Sequence, residues 1–278
     1  MKWLPAFTFG LVLYATPARS QDVPPPPPPA AAAPISPPVL ENNGKPIVLP
    51  YQCTIEDIQS AGLSCSEEEP CAIYLELTAV ETAGNRILAA GNIHSAAVTL
   101  FTVLLASDDA GQTWREVADR IRSAGLDRIQ FLDLETGWAS GETLSPITQD
   151  PFLLVTTDGG KTWRQRPIFG DARESRYGSI QQFFFTAKDS GSLIVDRGAG
   201  SDGDRYEMFE SPNAGESWDP KETSNKPMRL KRAPVPSTEW RVRADAATHS
   251  FHVEHKQGTR WTNVTAFSVK LAPCAPGQ

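Results

Sequence analysis

Several groups of residues in this chain have types and spacings that could do chemistry. His249, His252 and His255 recur every third residue in ATHSFHVEH. On a helix such imidazoles share a face and can ligate a metal, but the Ser-Phe-His-Val pattern reads as strand, where 249 and 252 point oppositely. GAGSDGDR (198–205) offers the carboxylates of Asp202 and Asp204. It lacks the full spaced oxygen set of a calcium loop and reads as a hairpin tip. Arg164 with Arg166, Arg229 with Lys231 and Arg232, and Arg241 with Arg243 carry basic side chains two apart, which on a strand puts both charges on one face. Such rows can be solvated outer-strand charges or a local cationic surface for an acidic polypeptide or a glycan. No cofactor and no metal is implied by any of these sets.

The elements that must position these residues are announced by a repeat. SDDAGQTW holds Ser107, Asp109, Gly111, Thr113 and Trp114, and TTDGGKTW holds Thr156, Asp158, Gly160, Thr162 and Trp163. SPNAGESW keeps Ser211, Gly215, Ser217 and Trp218 with Asn213 in the Asp place, and EHKQGTRW keeps only Gly258 and Trp261. The glycines are 49, 55 and 43 residues apart. A second motif runs in phase: in FLDLETGWASG and FTAKDSGSLIV, Phe131 and Phe185 each stand six residues before Gly137 and Gly191. Strand-like runs flank each box, so the physical content is a β-hairpin. The Asp carboxylate accepts backbone N–H groups within its turn, Gly supplies positive φ, and Trp covers the turn with its apolar face. Asp109 and Asp158 are therefore expected to be structural.

One unit of about 50 residues cannot bury its own faces, so copies must stack. Short strands, tight hairpins and an aromatic per unit fit propeller blades. The expectation is an all-β propeller of about four to five blades, a fifth being partly built from residues 40 to 70. Cys53, Cys65, Cys71 and Cys274 are an even set without a C-x-x-C pair, which suggests two disulfides. Of the three connectivities, every one ties Cys274 to the N-terminal trio.

The opening MKWLPAFTFGLVLYATPARSQ has a basic start, a short apolar run and a small-x-small site, so residues 1–20 read as a signal peptide. Residues 21–39 read as a Pro/Ala-rich linker, since proline lacks the N–H and fixes φ, and 40–278 as the folded domain. Loss of Lys2 and Arg19 takes the formal charge from −7 to −9, which argues against nucleic acid as partner. No apolar run is long enough for stable membrane insertion. The protein is expected to be exported, periplasmic or secreted, with an unknown protein or glycan partner.

At the boxes the chain resembles the Asp-box, or bacterial neuraminidase, repeat. With FLDLETGWASG beside them, it is similar to the sialidase-like propellers related to the photosystem II stability and assembly factor, over roughly 70 to 262. The resemblance implies a sialidase-like β-propeller and, in photosynthetic relatives, a lumenal or periplasmic assembly role. The chain differs in its shorter length, its proline-rich leader and its cysteines, so that role does not carry over. A sialidase would further imply an Arg-Ile-Pro segment, an arginine triad and a Tyr nucleophile helped by Glu. The nearest string, Arg166-Pro167-Ile168, follows a box, and Tyr177 and Tyr206 have no recognisable setting. The expected function is thus a non-catalytic binding or assembly scaffold rather than an enzyme, the alternative being a glycan-binding or glycosidase propeller.

Overall fold

A computed structural model of the chain describes Met1 and residues 37–144, 150–169, 178–199, 203–232 and 237–276. Apart from Met1 and residues 37–39, the signal and linker segments lie outside the described residues, as do Tyr177 and Asp202. The fold is a β-propeller, and its described strands form four antiparallel sheets. Blade 1 runs β2 (Cys71–Ala83), β3 (Arg86–His94), β4 (Thr99–Ser107) and β5 (Thr113–Glu116). Blade 2 runs β6 (Ala124–Phe131), β7 (Gly137–Thr143), β8 (Asp150–Thr156) and β9 (Arg164–Pro167). Blade 3 runs β10 (Ser179–Phe185), β11 (Gly191–Asp196), β12 (Tyr206–Ser211) and β13 (Asp219–Ser224). Blade 4 has only β14 (Trp240–Asp245), β15 (Ser250–Gln257) and β16 (Arg260–Ser268). The first strand of each blade is innermost, because residues of β2, β6, β10 and β14 line one shared axial cavity.

Residues 40–70 do not build a fifth blade. β1 (Leu40–Glu41) adds to the outer edge of blade 1, pairing with β5. α1 (Ile55–Ala61) is started by a capping box, Thr54 with Asp57, and stopped by Gly62 in the left-handed region. Arg122 bonds the buried Asp57 carboxylate and so fixes this helix to the propeller.

The phased motifs have a common packing reason. Phe131 pairs with Gly137 and Phe185 with Gly191 across the first hairpin of their blades, and each ring lies where a Cβ on that glycine would sit. Each box then packs on the blade before it. Gly160 lies against Leu88 of blade 1, and Gly215 against Leu153 of blade 2. Gly111 lies against Val264 and Thr265 of blade 4, where the Trp114 indole N–H donates to Thr265 Oγ1 at 3.0 Å. Trp138, next to Gly137, stacks on Phe185 of blade 3 at 3.7 Å and donates to the Ala214 carbonyl in that blade's box. Side-chain amides complete the seams: Gln130 of β6 both donates to and accepts from the Phe185 backbone.

The seam between blades 4 and 1 is closed by the chain ends. β17 (Lys270–Cys274) pairs with β2, and Cys53 is bonded to Cys274 while Cys65 is bonded to Cys71. Two disulfides fit an oxidising compartment. Among the described residues no helix is long and apolar enough to cross a membrane. The seam between blades 3 and 4 is different. Gly258 of the degenerate fourth box has no atom near its would-be Cβ. In place of a blade, Met228 and Leu230 of the connecting segment pack on Ile194, Tyr206 and Phe184.

Candidate functional site

Three inner strands carry an extra residue at one shared register. In β2, Leu77 opposes Gly91 and Ala79 opposes Ala90, so Thr78 is bulged. In β6, Leu126 opposes Gly141 and Arg128 opposes Ser140, so Asp127 is bulged. In β10 the same step between Ile180 and Gln182 leaves Gln181. Bulges bend a strand and re-aim a side chain; of the three, Thr78 and Asp127 come to line a cavity, whereas the Gln181 side-chain oxygen is buried.

The same registers make Asn92, Glu142 and Asp196 equivalent, since they pair with Glu76, Gly125 and Ser179, each two residues before the bulge of its inner strand. Asn92 locks blade 1 to blade 2: its Oδ1 accepts from Leu126 N at 2.7 Å and its Nδ2 donates to Leu126 O at 3.1 Å. Asp196 holds Arg205 through both oxygens, at 2.7 and 2.8 Å. Glu142 does neither. Among the described residues its Oε2 is buried without a hydrogen-bond partner, and so is Oγ of Ser140, which is 1% exposed. A carboxylate cannot supply the N–H with which Asn92 grips the next blade, so this position has left the structural role that its counterpart keeps.

Other atoms of Glu142 and Ser140 help to line a cavity of about 330 Å³ where blades 1, 2 and 3 converge, together with Glu76, Thr78, Asn92 and Asp127 among others. The size lies at the lower end of small-ligand clefts. Among its described lining residues there is no Lys, Arg or His. Arg128 meets Asp127 Oδ2 at 3.0 Å while itself lining the second, axial cavity of about 580 Å³. That larger space also holds Glu81, Phe184, Trp240 and Arg241, and burial, opposed by a bond from Thr82 N–H, raises the Glu81 carboxyl above its ordinary range. Among the described residues no three His, Cys, Asp or Glu side chains are grouped to hold a metal ion. The described lining combines the carboxylates of Glu76, Asp127 and Glu142 with the hydroxyl-bearing Thr78, Thr99, Ser140 and Ser179 and the Asn92 amide. Two carboxylates at one mouth are also what acid–base hydrolysis of a glycosidic bond uses.

The residues singled out from sequence lie elsewhere. The boxes sit at the opposite end of the blades: Gly160 touches Phe131 at the end of β6, whereas the mouth is built at the start of β6 and β10. Asp109 accepts from Ser107 Oγ, Gln112 N, Thr113 N and Thr113 Oγ1, at 2.6 to 3.1 Å. Burial pushes its carboxyl up, but the Thr113 hydroxyl and amide, with Ser107 and Gln112, leave it below the usual range. Asn213 reproduces the pattern, accepting from Ser217 N and Ser211 Oγ and donating to Ser217 Oγ.

The basic rows fall on three separate elements. Arg166 on β9 meets Glu216 at 2.7 Å. Arg229, Lys231 and Arg232 are exposed in the segment before blade 4. Arg241 and Arg243 share the Glu254 carboxylate, and Arg241 lies over the Trp261 ring. The histidines do not converge either. His249 is in a turn at φ 49°, His252 bonds Ser250 and Asn263, and His255 stacks on Trp240. Tyr206 is buried against Ile194 and Leu230, away from both cavities. Asp204 accepts from Thr223 and Asn225. Sequence reasoning missed Glu142, Asp127 and Ser140 because the motifs align the box end of each blade, and a bulge is invisible to alternation. The readable signal was GWASGET against AAGNIH, where the residue after the matched glycine changes from Asn to Glu.

No protein-family model matches the chain, and no curated protein matches it. Among solved structures it is similar to the α-L-arabinanase of Penicillium chrysogenum complexed with arabinobiose, at 17% identity and a TM-score of 0.38. That match covers 82% of this chain and 66% of the arabinanase, so the chain spans just under two thirds of its length. A protein of unknown function from Dyadobacter fermentans matches at 10% identity and a TM-score of 0.34, covering 73% of this chain and 70% of the other. Likeness at this level concerns fold and transfers no residue roles. The expectation of a non-catalytic scaffold that is no enzyme meets a correction here: the neighbour whose activity is named is an arabinanase, a likeness of fold that lends this chain neither that activity nor its absence.

Proposed function

We propose that this chain is a glycan-processing propeller that binds a saccharide at the mouth opposite its boxes and hydrolyses a glycosidic bond there. The observation that carries the reading is Glu142, a carboxylate with a buried, unpartnered oxygen at a position whose counterpart in blade 1 is a structural asparagine. In this mechanism Glu142 gives its proton to the leaving glycosidic oxygen. Asp127, brought to the mouth by its bulge, takes the proton of the water that adds to the anomeric carbon. Thr78, whose Oγ1 donates to Ala90 O and Leu126 O, helps to keep the seam under this mouth in place.

The boxes belong to this reading as the structural Asp-boxes of sialidase-like propellers. Residues 1–20 serve as the export signal, 21–39 as the spacer, and the periplasm or the exterior as the destination. The test is release of sugar or aryl group from a panel of oligosaccharides and aryl glycosides. Wild type is expected to turn over at least one member, with E142Q and D127N reduced by about 100-fold or more while far-UV spectra stay unchanged. Equal turnover by E142Q, or none by wild type across the panel, overturns the reading.

A further inference from the structure

We infer that blade 4 and the segment leading into it carry a second surface, separate from the mouth, that binds an acidic polysaccharide. The inference does not rest on the hydrolytic reading, since none of the residues that carry it lines the mouth.

Charge in this chain is divided by position. Residues 226–278 hold nine Lys and Arg against three Asp and Glu, whereas residues 21–225 hold fifteen against thirty. The segments outside the described residues leave this division intact, because 233–236 carry no charge and 170–177 carry two acids and two bases. The last blade is thus a basic module on an acidic protein, a local field opposite in sign to the whole.

Register shows where these cations stand. In blade 4, Val242 opposes Val253 and Phe251 opposes Phe267, and this face packs with blade 1 in one apolar cluster. The other face sets Arg241 opposite Glu254, and Lys256 opposite Trp261. Among the described residues no apolar cluster joins that face to blade 3. On the blade 3 side stands the connecting segment, whose Met228 and Leu230 turn inward onto Ile194, Tyr206 and Phe184. The alternate residues Arg229 and Lys231, with Arg232, are left exposed. The two walls meet at the axial cavity, which Phe184 and Arg241 both line. Arg241 and Arg243 are held by Glu254, so the free charge comes from Lys256 and the connecting segment.

Trp261 decides between a sugar chain and an acidic polypeptide. Its half-buried indole has the Arg241 guanidinium 4.2 Å and the Lys256 ammonium 5.9 Å from the ring centre. The exposed part of the ring offers apolar surface to the C–H groups of a sugar, while the cations beside it meet acid groups along the chain. A polypeptide partner is anchored by apolar side chains in desolvated pockets, and the apolar side chains of the connecting segment are already spent on blade 3.

The experiment is affinity electrophoresis of the full chain through gels holding polygalacturonate, dextran sulfate, neutral dextran or polyglutamate, at low and at high salt. Polygalacturonate and dextran sulfate are expected to retard the protein, less so as salt rises, and neutral dextran is expected not to. Retardation by one charged polysaccharide alone supports the inference and identifies the acid group. R229E/K231E should weaken retardation by at least about tenfold, whereas K161E/K188E, the same charge change placed away from blade 4, should leave it unchanged. W261A should weaken it by about tenfold and W261F by less, with thermal melting confirming folded proteins. E142Q should bind as wild type does. Retardation by polyglutamate as strong as by the polysaccharides overturns the inference in favour of an acidic polypeptide. No retardation by either charged polysaccharide, or equal losses in R229E/K231E and K161E/K188E, also overturns it, and the hydrolysis panel judges the mouth independently.

Discussion

Asp158 offers a quantitative test because the chain contains its own control. Its carboxylate accepts from Thr156 Oγ1 at 2.8 Å, Lys161 N and Thr162 N at 3.0 Å, and Thr162 Oγ1 at 2.6 Å. Partial burial pushes this carboxyl up, but the Thr162 hydroxyl and amide, the Thr156 hydroxyl and the Lys161 amide outweigh it and bring the pKa from 3.8 to about 2. Nearly two units correspond to about 2 kcal/mol of stability at neutral pH, discounted for the group's partial exposure. The folded pKa is depressed, so this contribution is present above the unfolded value near 4 and is lost as pH falls towards 2. D158A should therefore cost about 2 to 3 kcal/mol at pH 7. D158N should cost about 1 kcal/mol or less, because Asn213 already closes the third box with equivalent bonds. The gap between wild type and D158N should close as the pH falls from about 4 to about 2. Urea unfolding of the three proteins across that range is the assay. A D158A midpoint equal to that of wild type, or a D158N gap as wide at low pH as at neutral, would refute the argument.

Other expectations follow from the seams. C274S opens a closure of 221 residues and should cost about 5 kcal/mol in the loop-entropy account, against about 2 for C65S, whose closure spans 6. Urea midpoints under oxidising conditions give both values. G111A places a Cβ at φ 87° against Val264 and Thr265 and should cost about 3 kcal/mol, whereas G258A at φ 64° meets nothing and should cost about 1. Burial raises the Glu81 carboxyl, so its ionisation opposes folding at neutral pH. E81Q should therefore melt higher than wild type at pH 7, and the advantage should vanish below about pH 4.

The repeat was legible because its residues answer local demands. A turn at positive φ asks for Gly111 or Gly160, and a ring lying over Gly137 fixes Phe131 six residues upstream, so type and spacing survive in the sequence. Ring closure was only half legible. Four cysteines announced two bonds, but the choice of Cys53 for Cys274 depends on β17 returning to β2, a contact no spacing encodes. The capping box Thr54-x-x-Asp57 was present to be read, yet residues 40–70 suggested a blade, because strand-length segments and α1 leave similar traces in short stretches. The site was hidden for a different reason. Asp127 matters because it is bulged, and Glu142 because its blade 1 counterpart is Asn92; both facts belong to cross-strand register, which a linear pattern does not carry.

The account turns on the mouth bounded by Glu142, Ser140 and Asp127, and a crystal structure with a bound oligosaccharide tests it most directly. The prediction is a sugar in that cavity within hydrogen-bond distance of the Glu142 and Asp127 carboxylates. A sugar seated instead against Trp240 and Phe184 in the larger axial cavity, away from both carboxylates, would contradict it.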